Sequence, residues 1–588
     1  MSQSKWWKES VIYQVYPASF KDENGDGWGD IKGMISQVPY LKELGVDVLW
    51  TSPIYKSPQA DMGYDISDYK SIDPRYGTLS DVDTLITTLK IHDMKLMMDL
   101  VANHTSNQHA WFLESARSKT SPKRDWYIWK PPRSISADGV PEPPNNWAQI
   151  LGDANSAWTY DKATGEFYLS LFTPEQPDLN WENQEVREAV QDVMRFWLER
   201  GASGFRCDVI NLISKDQNFP DAPITIPTQK YQPGEIYYRN GPRMHEYIHE
   251  LYTTVLSKYD TITVGEMPFV SDINEIIRTV GAKAEELNMI FIFDIVDIDN
   301  DMSAGTKFSL YDWPLSDLKD IVSKWQRAMI ENDGWNSVFV ENHDQPRSVS
   351  RYCDDSDATR EKGAKLLALM QTTLSGSLFV YQGEEFGMRN VPKAWDVEIE
   401  YKDIESINLW KKYKAMYPVD SAKLDECKTI LQRKARDNAR TPVQWTSGPN
   451  AGFCPAHVKP WMRVNDDWET CNAETSQNFQ SDSELSVWQF WQQSLKNRKR
   501  HKETFVYGDY EEIDHANKQV FAYLRKAESG SKALVVLNWS GKTVEWTVPE
   551  TIEVEEWTIS TYGKGTPQTK DKRVIKLEAW EGVLGNCK

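Results

Sequence analysis

Four acidic side chains stand at or near the ends of apolar, strand-like runs: Asp99 in KLMMDL, Asp208 in GFRCD, Glu266 in TITVGE and Asp344 in WNSVFVENHD. Any one of them, alone, reads as a carboxylate that caps the next helix or pairs with an arginine. Four together need another explanation, because like charges gathered in a low-dielectric cleft repel and raise one another's pKa. Stability alone gives no reason to assemble them. Neighbouring carboxyls whose pKa values are pushed apart give one site both an acid and a base.

A second cluster, KDENGDGWGDIKG over 21–33, sets oxygen-bearing side chains at Asp22, Asn24, Asp26 and Asp30 around Gly27. Hard cations take about six to eight oxygens, and an acidic loop with a glycine at its sharp turn supplies them. The bidentate Glu of a helix–loop–helix calcium sensor is missing, since its position is held by Gly33. A sensor is therefore not expected.

The elements that must position these groups alternate. VIYQVY (11–16), VDVLWTSP and KLMMDLVANH read as strands, separated by the helical spacing of IKGMISQVPYLKELG, with Gly45 as its stop, and of DVDTLITTLKIHD, with Ser80 as a cap. From 104 to 175 the rhythm breaks into a Pro- and Trp-rich stretch. It resumes with NQEVREAVQDVMRFWLERG, which sets Val186, Val190, Val193 and Trp197 on one stripe, and five more strand candidates follow. Three strands before the break and five after it make eight β/α units, which predicts a closed parallel (β/α)8 TIM barrel with active groups at the C-terminal strand ends. QVFAYLRKAESGSKALVVLNWSGKTVEWTV shows short alternating runs with Ser-Gly turns, predicting an antiparallel β-sandwich. The expected organisation is barrel over 1–103, inserted subdomain over 104–175, barrel again over 176–508, and C-terminal β-sandwich over 509–588.

The net charge of −20 argues against a nucleic-acid partner. No apolar run is long enough for a membrane helix, and MSQSKWWKES has no signal-like core. The six cysteines lie far apart without a C-x-x-C pair, which suits reduced thiols in the cytoplasm. A monomer is expected.

The motifs DLVANHTS (99–106), GFRCDVI (204–210), VGEMP (264–268) and ENHDQPR (341–347) resemble the four conserved blocks of the α-amylase superfamily. QPDLNWEN (176–183) is similar to its additional block, while DMGYD (61–65) and ARDNARTPVQW (435–445) resemble the α-glucosidase and oligo-1,6-glucosidase branch. The resemblance implies that Asp208 is a catalytic nucleophile, Glu266 the general acid/base and Asp344 a third carboxylate that holds sugar hydroxyls. It implies further that His104 and His343 bond the glucose hydroxyls, that Arg206 keeps the nucleophile ionised, and that Asp61, Tyr64 and Arg436 close the pocket around the non-reducing glucose. It also implies a structural Ca²⁺ or Mg²⁺ on Asp22, Asn24, Asp26, Asp30 and the carbonyl of Trp28, with no organic cofactor.

These roles agree with the chemistry. Glycoside cleavage passes through an oxocarbenium-like state stabilised by one carboxylate while a second, protonated, serves the leaving oxygen; in a retaining enzyme the pair stands ~5–5.5 Å apart. Arg206, two residues before Asp208 on a strand, shares its face, and its charge is expected to lower the nucleophile's pKa. Cys207 points away and reads as a packed thiol. Val209 resembles a position where valine accompanies α-1,6 preference and alanine or threonine accompanies α-1,4 cleavage. An isomaltose-type substrate is therefore expected, with sucrose and aryl α-glucosides possible. The rivals are a maltase, a sucrose isomerase or transglucosylase on the same scaffold, and the non-enzymatic transporter heavy chains, which need a membrane helix.

Overall fold

The computed structural model describes residues 5–151, 155–301, 306–563, 568–569 and 573–588. Eight parallel strands pair side by side in chain order: β1 (Val11–Val15), β2 (Val48–Thr51), β3 (Lys95–Val101), β4 (Gly204–Asp208), β5 (Ile262–Glu266), β6 (Met289–Phe291), β7 (Ser337–Val338) and β8 (Ser377–Tyr381). β8 returns to pair with β1. Every residue of β1, β4 and β8 is buried, which is why these strands read as continuous apolar runs instead of alternating ones. Between β6 and β7 the ladder is open, and the seam is held by Ser337, whose Oγ donates to the Ile290 carbonyl at 2.7 Å. Aromatic rings fill the interior near this seam, with Trp50 stacked on Phe291 at 5.6 Å and Phe291 against Phe379 at 4.9 Å.

The helix Gln184–Arg200 buries Val186, Val190, Val193 and Trp197, starts on an Asn183 cap and ends at Gly201 with φ 118°, a left-handed stop that glycine adopts without a Cβ clash. The 31–45 segment is two helices, Ile31–Ser36 and Val38–Leu44, broken at Gln37 ahead of Pro39 and stopped at Gly45 with φ 115°. Ser80 is not a cap. Thr78 holds that position and forms a reciprocal capping box with Asp81, leaving Ser80 inside the first turn.

After β3 the chain leaves the barrel to form a three-stranded antiparallel sheet of Trp129–Lys130, Glu166–Leu169 and Trp158–Asp161. Its apolar core of Trp147, Trp158, Phe167 and Leu169 is completed by Val209, Leu212, Phe219 and Tyr238, which follow β4. This lobe therefore draws on two stretches of chain and grips the barrel just beyond Asp208. At the C-terminal end a five-stranded antiparallel sheet and a three-stranded one share a core in which Val520, Leu534 and Val536 of the first meet Trp546, Ile575 and Leu577 of the second. Among the described residues no helix is long and apolar enough to cross a membrane.

Candidate active site

The parallel register sets Arg206 of β4 opposite Asp99 of β3, while Asp208 and Glu266 are the last residues of β4 and β5. Three carboxylates converge on the buried Arg206 guanidinium. Nη1 donates to Asp208 Oδ1 at 2.6 Å and to Asp99 Oδ1 at 2.8 Å, and Nη2 donates to Glu266 Oε2 at 2.7 Å. The expected nucleophile and the expected acid/base thus hang side by side from one planar cation, each through one oxygen.

The electrostatics of this half differ from the expectation that Arg206 sets the Asp208 charge. Burial pushes the Asp208 carboxyl well up; Arg206 opposes this, while Glu266 and Asp99 reinforce it. Asp99 is likewise raised by burial, to about 6, against the pull of Arg206. One guanidinium cannot compensate three carboxylates out of water, so this cluster tends to retain a proton.

The opposite half behaves in reverse. Asp344 Oδ1 accepts from Arg440 and, at 3.4 Å, from Arg436. Burial alone would raise this carboxyl, but His343, Arg436 and Arg440 outweigh it and hold it well below the usual range. Asp403 Oδ2 clamps both arginines, at 2.7 Å from Arg436 Nη2 and 3.0 Å from Arg440 Nη1. Asp61 Oδ1 lies 3.3 Å from Arg436, and its Oδ2 accepts from Gln176 at 3.1 Å.

Between the halves His343 is sandwiched by Tyr64 (centroids 5.3 Å apart, planes 11°) and Tyr16 (6.1 Å, 23°). Tyr64 Oη lies 2.7 Å from His343 Nε2 and donates to Asp99 Oδ2 at 3.2 Å. Burial lowers the His343 pKa to about 3 and lowers that of His104 too, so both imidazoles are neutral. His104 is backed by Asn103, whose amide also donates to Asp178 at 2.8 Å and whose Oδ1 accepts from the buried Lys215 at 2.7 Å. Phe172 from the inserted lobe packs on His104 at 5.0 Å. With Gln176 Nε2 also 3.2 Å from His104 Nε2, Asp61, Tyr64, His104, Arg206, Asp208, Glu266, His343, Asp344 and Arg436 are joined into one polar network.

Val209 does not continue the extended backbone of β4. Its φ of 34° and ψ of 42° are left-handed, a rare conformation for a β-branched residue that costs ~1–3 kcal/mol. The turn aims its N–H at Glu266 Oε2, 3.2 Å away, and seats its side chain in the lobe core. The sequence reading also missed Gln176, Asp403 and Arg440 as members of this network, and Gln14, whose side-chain nitrogen lies 2.8 Å from His343 Nδ1. Arg440 left a signal inside the ARDNARTPVQW motif, and Gln176 left one as the first residue of QPDLNWEN.

In the 21–33 loop each acidic side chain turns onto local donors. Asp22 accepts from the N–H of Gly25 (2.6 Å) and Gly27 (2.8 Å), Asn24 from Asp26, Asp26 from Trp28, and Asp30 from Glu23, Asn24 and Gly33. Burial raises the Asp30 carboxyl, and the Asp22 charge adds to this. Among the described residues no group of three or more His, Cys, Asp or Glu side chains is gathered closely enough to hold a metal. The donor chemistry fits a hard cation, whereas the oxygens are drawn to the loop's own amides.

Residues 14–508 match the model of the alpha-amylase catalytic domain. The chain is 49% identical over 579 residues to an alpha-glucosidase of Schizosaccharomyces pombe, covering 98% of this chain and 97% of that protein. It is 43% identical over 578 residues to an oligo-1,6-glucosidase of Parageobacillus thermoglucosidasius, covering 98% of each. Its structure superposes on the isomaltulose synthase of Erwinia rhapontici NX5 with a TM-score of 0.91 at 37% identity, covering all of both chains.

Proposed function

Because the chain belongs to the alpha-amylase family and is a glycoside hydrolase of small oligosaccharides, we propose that it is a retaining, exo-acting α-glucosidase that releases glucose from the non-reducing end of short α-glucosides, preferring α-1,6 linkages. The observation that carries this reading is the shared Arg206 guanidinium, which holds Asp208 and Glu266 side by side at 2.6 and 2.7 Å. Side-by-side carboxyls suit covalent attack, whereas inversion needs room for a water between them. Asp208 Oδ2 attacks the anomeric carbon as the glycosidic C–O bond breaks, and Glu266 Oε1 gives its proton to the leaving oxygen. Water then attacks the glucosyl–Asp208 ester, returns a proton to Glu266 and frees the carboxylate. Asp344, held ionised by Arg436 and Arg440, accepts from glucose hydroxyls, and the Asp61–Arg436 pair closes the pocket against longer non-reducing ends.

Val209 supports the α-1,6 preference, because its side chain is fixed beside Asp208 by both its backbone turn and the lobe core. Such contacts discriminate by ~1–3 kcal/mol, a preference and not an absolute filter. Turnover of isomaltose against maltose tests the linkage; faster maltose hydrolysis reverses it. Products from sucrose separate hydrolysis from transfer to a second sugar, and trapping of a glucosyl ester in Glu266→Gln tests the intermediate.

The loop at Asp22, Asn24, Asp26, Trp28 and Asp30 is read as a structural Ca²⁺ or Mg²⁺ site, supported by two buried, mutually repelling carboxylates (Asp22 and Asp30) that a dication would relieve. Chelation then lowers the thermal midpoint and added cation restores it; an unchanged midpoint removes the ion from the account. The six unpaired cysteines support a reducing, cytoplasmic setting, and the protein is read as a monomer.

A further inference from the structure

Gln14, in the middle of β1, is buried and takes no part in the roles assigned above. Its side-chain nitrogen lies 2.8 Å from His343 Nδ1 and donates to Ser52 Oγ at 3.2 Å. On the other edge of the ring, His343 Nε2 lies 2.7 Å from Tyr64 Oη and 3.4 Å from Asp344 Oδ2. A neutral imidazole carries one proton, and its two edges meet opposite environments. A lone pair on Nε2 would face the Asp344 carboxylate, which already accepts from Arg440 and Arg436 and offers the ring no proton. A proton on Nε2 is instead attracted to that carboxylate and donates to Tyr64 Oη, whose own hydroxyl hydrogen goes to Asp99. Nδ1 is then the lone pair and requires a donor, which the Gln14 amide supplies.

We propose that Gln14 is a positioning residue that fixes the Nε2–H tautomer of His343, so that a proton, and not a lone pair, faces Tyr64 Oη and Asp344. A sugar hydroxyl that binds beside Asp344 then shares this proton with Tyr64 Oη while it donates its own hydrogen to Asp344, and the two bonds define its orientation. The inference rests on the pocket being a glucoside site for its consequence in catalysis, but the tautomer itself exists without substrate.

The experiment uses the full chain with ¹⁵N-labelled histidine, His343 being assigned by its loss in His343→Ala. The wild type should show an unprotonated Nδ1 and a protonated Nε2 in the absence of sugar. A protonated Nδ1 overturns the proposal whatever the substrate proves to be. Gln14→Glu places an acceptor on Nδ1 and should swap the tautomer or add a second proton; an unchanged His343 spectrum overturns it too. In kinetics on an aryl α-glucoside, Gln14→Glu and the uncharged Gln14→Met should each lower kcat/KM roughly tenfold or more, as expected when a buried bond is left unmatched. In a His343→Ala background the same changes should do almost nothing further, because groups acting through one partner are not additive. Equal losses in both backgrounds show a structural role only and sink the assignment. Gln14→Met keeps the test readable if the buried carboxylate prevents folding.

Discussion

Arg206→Met removes the cation at the centre of Asp99, Asp208 and Glu266 while keeping most of its bulk. The side chain it replaces is 2% exposed, against 0% for Asp99, 8% for Asp208 and 12% for Glu266. Breaking a buried ion pair from one side costs about 3–5 kcal/mol because the other charge stays buried without a partner. That cost depends on pH, since carboxyls can escape it by taking up protons. Asp99 already stands at about 6, raised by burial in spite of Arg206, Asp208 is raised as well, and without the arginine both rise further. A carboxyl whose folded pKa is raised carries a penalty above that pKa, which is relieved as pH falls toward its unfolded value. The destabilisation by Arg206→Met should therefore be largest near pH 8 and shrink toward pH 5 by up to ~1.4 kcal/mol per pH unit for each extra proton the folded variant holds. Thermal midpoints of wild type and variant, followed across this range at one scan rate, should converge on acidification. Hydrolysis of an aryl α-glucoside should fall roughly 10²–10⁴-fold, the range for losing acid–base function. Parallel midpoint curves would refute the reasoning, because they would mean that the cluster gains no proton when its cation is gone.

The remaining expectations concern other elements. Burial holds His109 at about 4, below its ordinary value, so its stabilising contribution is present above about pH 6.5 and is lost as pH falls toward 4; His109→Asn, which keeps the acceptor for Trp111 N–H at the helix start, should flatten the acid slope by up to ~1.4 kcal/mol per pH unit in thermal or denaturant unfolding. Val209→Gly relieves ~1–3 kcal/mol of backbone strain while losing ~1.5–3 kcal/mol of burial, so it should lower the thermal midpoint less than Val264→Gly, where an equally buried valine on β5 has no strain to release. Val209→Thr should shift the isomaltose-to-maltose ratio toward maltose by roughly 10-fold or less, read from paired kcat/KM values.

The barrel was legible because its strands are covered on both faces and so stand out as apolar runs, and because four acids at the ends of such runs have no structural reason to gather. Fine positions were less so. Ser80 and Thr78 are both plausible caps, and only the reciprocal bond with Asp81 chooses between them. The 104–175 boundaries follow a change in composition, whereas the lobe's core borrows Leu212, Phe219 and Tyr238 from beyond β4; a hydrophobic residue does not announce which core it joins. The Val209 turn is hidden for a related reason, since a β-branched side chain favours extended backbone and tertiary packing together with the Glu266 bond overrides that preference.

The deeper limit is electrostatic. Asp208 and Asp344 look alike in sequence, each an acid near a strand end, yet burial leaves one raised and the other is held low. The difference is made by partners that sequence proximity does not reveal. Arg206 lies two residues from Asp208 but is shared with Asp99 and Glu266, so adjacency overstated its effect. Arg436 and Arg440 lie 92 and 96 residues beyond Asp344, and Asp403, the cap of the helix Ile404–Met416, gathers both of them. A proton-retaining cluster and a fixed negative charge are thus built from the same residue type twice. The count of cations around each acid, one among three on the β3–β5 side and two clamped together after β7, sets which acid is raised and which is held low.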